Sequence, residues 1–170
     1  MEFSELVLKR RSVRAYREAE VKEEDVRTML ETAVYAPSWK NREPGRYYVA
    51  LSEEAKAEVF ASLPGFNQNS TRNAAYIVST YKKGLSGEGS PEGDLWGAYD
   101  LGSQNAYLLL KACELGYDTL VMGLRDEERL RAYFGIPEDE ILLPVIALGK
   151  RNADPRTVIR KGTDEVLKIR

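Results

Sequence analysis

Apolar residues recur along this chain in two periods, and each period predicts an element. Phe3, Leu6 and Val7 share one helical face, which predicts a short helix ending near Arg10. The same spacing returns over 21–35, through Val26, Met29, Leu30, Ala33 and Val34, and Pro37 marks the end of that helix. Residues 47–51, Tyr-Tyr-Val-Ala-Leu, read as a strand. Ser52 offers a hydroxyl to the free N–H groups of a helix over 53–62, which Leu63-Pro64-Gly65 stops. Residues 74–81 are rich in β-branched and aromatic side chains and predict a second strand. A loop of glycine, serine and charge covers 83–94. Its glycines are not spaced as in a dinucleotide-binding turn, and Pro91 interrupts them.

A long helix is expected over 95–115, with Asp94 as a possible cap and Gly116 as its stop. Leu101, Leu108, Leu109, Ala112 and Cys113 give it broad apolar faces, so it should be central and mostly buried. A short apolar stretch follows over 118–122. A helix over 127–134 is capped by Asp126 and closed by Gly135 and Pro137. The last strand covers 141–148. Residues 150–170 are basic and show no core pattern, so they are either disordered or packed on another chain. Strands and helices mix without a strict alternation, which predicts an α+β fold with a single domain over 1–170.

Composition narrows the chemistry. The chain has 170 residues, enough for one well-formed core, and its net charge of -2 gives no bias toward nucleic acid or an anionic membrane. No apolar run approaches the length of a membrane span, and the acidic start Met1-Glu2-Phe3-Ser4-Glu5 does not resemble a secretion signal. With the lone Cys113, which excludes an intrachain disulfide, the expectation is a cytoplasmic protein. Cys113 itself is expected in the core. Histidine is absent, which removes Ser-His-Asp and Cys-His catalysis and imidazole-bound metals. An enzyme of this composition needs an organic cofactor or carboxylate chemistry.

Four segments carry candidate chemistry. Lys9-Arg10-Arg11-Ser12-Val13-Arg14 combines arginine forks with a hydroxyl, a combination suited to one phosphomonoester. Ala36-Pro37-Ser38-Trp39-Lys40-Asn41-Arg42-Glu43-Pro44 is stiffened by two prolines and offers polar edges and an indole face. In 118–125 an apolar strand meets Gly123, where backbone N–H groups can approach a flat ring. Finally, Gly149-Lys150 ends a strand, and Arg160-Lys161-Gly162 follows in the tail.

The order of these segments resembles the nitroreductase family from about Leu6 to Val166. The resemblance rests on Arg10-Arg11-Ser12-Val13-Arg14, Ala36-Pro37-Ser38 with Asn41 and Pro44, and Asp100-Leu101-Gly102-Ser103-Gln104-Asn105. Leu115-Gly116-Tyr117-Asp118 leading to Met122-Gly123, and Phe134-Gly135-Ile136-Pro137 before Ala147-Leu148-Gly149-Lys150, complete it. It implies a mostly antiparallel sheet flanked by helices in an intertwined homodimer, with the 151–170 tail on the partner. The implied cofactor is FMN, with NADH or NADPH as co-substrate and a nitroaromatic, quinone or other small electrophile as acceptor. The same fold also hosts other flavin reactions, dehydrogenase or dehalogenase-like, and non-catalytic FMN-binding modules. By resemblance, Arg10, Ser12 and Arg160 grip the phosphate with Arg11 nearby, and Arg14 lies by the flavin N1/O2 edge. Pro37, Ser38, Trp39 and Asn41 reach the flavin from the partner, while Val121, Met122 and Gly123 lie under the ring. Lys150 is the basic residue after the strand-end glycine. A further amide or basic contact is expected from Asn67, Asn69 or Arg72. Glu43 and Gly45 stand where the family commonly has glutamine and tryptophan, so Glu43 is expected to point away or to pair with Arg42 or Arg46.

Overall fold

The strand β3 (Ala75–Lys82) has seven of its eight residues buried, which requires cover on both faces of the sheet it belongs to. A computed structural model describes residues 2–170 and supplies that cover. The elements before β3 are α1 (Phe3–Lys9), β1 (Tyr16–Arg17), α2 (Glu23–Ala33), β2 (Gly45–Ala50), α3 (Glu53–Ser62) and α4 (Gly65–Thr71). After it come α5 (Leu95–Glu114), β4 (Asp118–Met122), α6 (Glu127–Phe134), β5 (Glu140–Arg151) and α7 (Thr163–Val166). All the strand pairings are antiparallel. β2 pairs with β3, and β3 with β5. Along the opposite edge of β5, β4 and β1 follow one another, with Met122 beside Val145, Asp118 beside Gly149 and Arg17 beside Lys150.

The two-residue strand period divides the core into two faces. Tyr76 and Val78 of β3, Val145 and Ala147 of β5, and Leu120 and Met122 of β4 meet Ala55 and Val59 of α3 and Leu130 of α6. On the other face, Ile77, Ile146 and Leu148 meet Val26, Met29 and Ala33 of α2 and Leu108 and Ala112 of α5. The expected α+β class, with an antiparallel sheet between helices, is what the chain adopts.

The caps follow the sequence in two places and depart from it in a third. Ser52 accepts from the Ala55 N–H at 3.1 Å, and Asp126 accepts from the Arg129 N–H at 3.1 Å. Asp94 does not cap α5. Its carboxylate accepts instead from the Gly84 N–H at 3.0 Å and closes the glycine-rich loop. The chain after Ser62 also resumes as a helix where a stop alone was expected. Pro64 takes the N-cap position of α4, where its missing N–H costs nothing. The Gln68 amide then donates to the Phe60 and Leu63 carbonyls, satisfying the open end of α3. Strands β2 and β5 start or end up to three residues beyond the apolar runs that predict them, because pairing continues through Gly45 and through Lys150 and Arg151. β1 has no apolar run and went unread.

The long helix is central, but only half of it is buried. Leu101 and Leu108 are buried, whereas Leu95, Tyr99, Gly102, Ala106 and Tyr107 form an outer face open to solvent in the single chain. Beyond Asn152, whose N–H donates to the Ala15 carbonyl at 2.9 Å, the tail leaves the fold, and Ile159 is 95% exposed.

Candidate functional site

After α1 the chain straightens and is pinned to the edge of β4. The Val13 N–H donates to the Thr119 carbonyl at 3.0 Å, Ser12 forms a parallel bridge with Thr119, and the Val13 side chain is fully buried. Alternation then turns Ser12 and Arg14 outward. Among the described residues no carboxylate lies within 4.0 Å of the Arg10, Arg11 or Arg14 guanidinium. Arg11 donates to the Arg10 carbonyl at 3.0 Å and Arg14 to the Ser12 carbonyl at 3.5 Å, both contacts within the segment itself. Three like charges within five residues repel one another, and a bound anion would relieve that repulsion.

Four residues on from Thr119, roughly 13 Å at strand rise, β4 runs out. Met122 is buried in the core, while Val121 is 47% exposed and Gly123 and Leu124 are open to solvent. Neither the Gly123 nor the Leu124 N–H donates to a backbone carbonyl. Beside Val121 is an apolar hollow of about 250 Å³, walled by Ala98, Leu101 and Leu109 of α5 and by Pro144. Asn105 also lines it, and its Oδ1 is buried without a hydrogen-bond partner. One edge of the fold thus carries unpaired guanidiniums at one end, and at the other an apolar wall with free donors and an orphaned acceptor. These groups fit a ligand with an anionic tail and a flat, polar-edged ring.

Residues 36–44 are held elsewhere. Asp100, buried in the first third of α5, accepts from the Trp39 N–H at 3.0 Å and from the Ser86 hydroxyl at 2.6 Å, tying both loops to the helix. Trp39 packs on Trp96, with ring centroids 5.1 Å apart. Lys40, Asn41 and Glu43 all adopt positive φ, and the Ser38 hydroxyl accepts from the Glu43 N–H at 3.0 Å to hold that conformation. Glu43 pairs with neither Arg42 nor Arg46. Its carboxylate accepts from the Asn41 amide at 3.2 Å, and Arg46 donates to the Glu43 carbonyl at 2.9 Å. Gly45 is explained by its neighbour, since a Cβ there would fall on the Gln104 side chain. The N-terminal arginines lie toward the far end of α5, where Lys9 and Arg10 act on the field at Cys113. From Asp100 to Cys113 the helix rises roughly 20 Å. A single chain therefore does not bring residues 36–44 to Arg10 and Ser12.

The model of the Nitroreductase family matches residues 7–88, which include both of these segments. A protein of Archaeoglobus fulgidus, assigned as an NADH dehydrogenase/NAD(P)H nitroreductase, is 28% identical over 85% of this chain and 82% of its own length. A solved protein of Exiguobacterium sibiricum, assigned as a nitroreductase and in complex with FMN, superposes with a TM-score of 0.88 at 25% identity, covering 100% of this chain and 98% of its own. The chain is thus similar to the nitroreductase family in sequence over residues 7–88 and in fold over its whole length. CLA-ER, an enone reductase of gut-bacterial fatty acid saturation, shares the fold at a TM-score of 0.87 and 19% identity, covering 99% of this chain and 97% of its own. This nitroreductase fold thus does not by itself select an acceptor.

Among the residues expected at a nitroreductase flavin site, Arg10, Arg11, Ser12 and Arg14 share one segment, and that segment adjoins the strand bearing Val121, Met122 and Gly123. Pro37, Ser38, Trp39 and Asn41 form a second cluster around Asp100. Two residues join neither. The Lys150 ammonium is taken by the Gly116 carbonyl at 2.8 Å and lies over the Tyr117 ring at 3.7 Å, and Arg160 is exposed on the tail. Asn67 is buried in α4 and Asn69 is exposed. Arg72 lines a separate groove of about 820 Å³ rimmed by Glu18, Glu20, Glu23 and Glu53. That acidic rim makes this groove a poor phosphate site. Cys113 is buried as expected, and burial pushes its thiol pKa up, away from reactive thiolate. No helix among the described residues is long and apolar enough to cross a membrane. Sequence reasoning gave no role to Asp100, Asn105 or Arg125. A lone acid in the first four turns of an apolar helix was the available signal for Asp100.

Proposed function

We propose that this chain is an FMN-dependent NAD(P)H oxidoreductase, acting as a homodimer on a nitroaromatic, quinone or other small electrophile. The observation that carries the reading is the edge where unpaired Arg10, Arg11 and Arg14 lead along β4 to the free N–H groups of Gly123 and Leu124. When bound, FMN supplies the hydride chemistry. Arg10 and Ser12 hold its phosphate, joined by Arg160 once the tail is ordered by the second chain. Arg14 places a fixed positive charge by the N1/O2 edge and favours the anionic reduced ring. Val121 and the α5 wall exclude water from one face, and Asn105 and the free N–H groups meet its polar edges. Pro37, Ser38, Trp39 and Asn41 come from the partner, a reading supported by their distance from Arg10 and Ser12 along α5.

The test is anaerobic titration of the purified protein, reconstituted with FMN, against NADH and NADPH. Bleaching of the flavin absorbance at stoichiometric nucleotide is expected. Protein that takes up no FMN at micromolar concentration, or holds FMN that neither nucleotide reduces, overturns the assignment.

A further inference from the structure

Arg125 follows the end of β4 and grips two pieces of backbone at once. Its Nη1 donates to the Gly123 carbonyl at 2.5 Å, and its Nη2 donates to the Leu142 carbonyl of β5 at 2.5 Å. Nη2 also meets the Glu127 carboxylate at 3.2 Å, and the side chain is only 17% exposed. A planar fork ties the turn after β4 to the neighbouring strand, which a lysine ammonium on its flexible stem cannot reproduce. The peptide that is held is trans, so its C=O and the following N–H point in opposite directions. Fixing the Gly123 carbonyl against the guanidinium therefore turns the Leu124 N–H away from it, out of the fold. The exposed Gly123–Leu124 turn keeps both of its N–H groups free of backbone acceptors.

We infer that Arg125 is a positioning residue, holding the N–H groups of Gly123 and Leu124 as donors to the central-ring nitrogen of bound flavin. The inference rests on the FMN reading above. A donor at that nitrogen favours the oxidised ring, where the nitrogen is a bare acceptor, over the reduced ring, where it carries hydrogen. Loosening the turn therefore raises the reduction potential. Removing a positive charge near the ring would lower it, so the sign separates the fork from the charge.

The test uses the FMN-loaded protein and two variants. Arg125→Lys keeps the charge and loses the fork. Leu124→Pro deletes one donor and leaves Arg125 untouched. Each is compared with wild type for its midpoint potential, by photoreduction against a reference dye, and for its affinity for oxidised FMN. Both variants should retain flavin and shift to less negative potential, by about tenfold in oxidised-over-reduced preference or about 30 mV for a two-electron couple. If one variant fails to fold, the other carries the same test. A potential equal to or more negative than wild type, with or without a loss of thermal stability, overturns the role. Wild type that binds no FMN sinks the cofactor reading instead, so the two failures are distinguishable.

Discussion

The arginines around α6 and those after α1 differ in the partners they find. Arg129 pairs with Glu58, and Arg125 and Arg131 pair with Glu127; Arg131 also donates to the Pro137 and Glu140 carbonyls. Arg11 and Arg14 reach only carbonyls of their own segment, and the Arg10 guanidinium donates to no group among the described residues. The first group finds carboxylate and carbonyl partners within the fold and holds elements together. The second holds nothing together, so its charge is available to something outside the chain. Apolar groups divide in the same way. The inner face of α5 is fully packed, while its outer face and the tail, where Ile159 and Ile169 are 95% and 86% exposed, have no cover within the chain. In this protein, the groups unmatched inside one chain are the ones to which the proposed function assigns a ligand and a second chain.

Ending the chain at Arg151 tests that comparison most severely. Both cores lie upstream of that point, so the fold should survive while the dimer dissociates and most of the FMN is lost. Size-exclusion chromatography with light scattering and the flavin spectrum would read this. A flavin-loaded dimer after truncation would show that the tail is not what the outer face awaits.

Next in size is a contrast between the two arginine groups. Arg10→Ala should weaken FMN binding by about 1.5–3 kcal/mol, the range for a bond to a charged group, or tenfold or more in Kd. Arg131→Ala should leave FMN affinity alone and lower stability by about 1–3 kcal/mol, because it removes the donor to two carbonyls and leaves Glu127 with Arg125 alone. Flavin fluorescence titration and urea unfolding on both variants measure the split, and equal FMN affinity in the two would erase it.

The smallest expected effect concerns the matched region. Gly45→Ala should cost about 1–2 kcal/mol, because the new methyl overpacks against Gln104. Gln104→Ala in the same chain should recover most of the loss. A Gly45→Ala protein as stable as wild type in urea would show that this contact gives way.

Legibility in the sequence followed how local the cause was. The helix over 53–62 was readable because a serine cap and an apolar stripe lie within a few residues of one another. α4 was not, because Pro64 and Gly65 end one helix and begin the next with the same residues. Asp94 looked like a cap from its position alone, but its carboxylate goes to Gly84, a loop contact ten residues back. Glu43 looked available to two adjacent arginines, yet positive φ at 43 and the Asn41 amide set its direction instead. Arg125 gave no signal at all, since both carbonyls it grips are chosen by where β5 passes.

The sequence by itself determined most of the helices and strands, though not β1 or α4, and the presence of an arginine-rich, hydroxyl-bearing segment early in the chain, because side-chain period and residue chemistry are properties of neighbours. Only the tertiary structure decided that this segment docks against Thr119 and leads to free N–H groups at Gly123 and Leu124. It alone separated residues 36–44 from Arg10 and Ser12 along α5. Pairing partners of β5 and distances along α5 are set by packing between residues far apart in the chain, which no local pattern encodes.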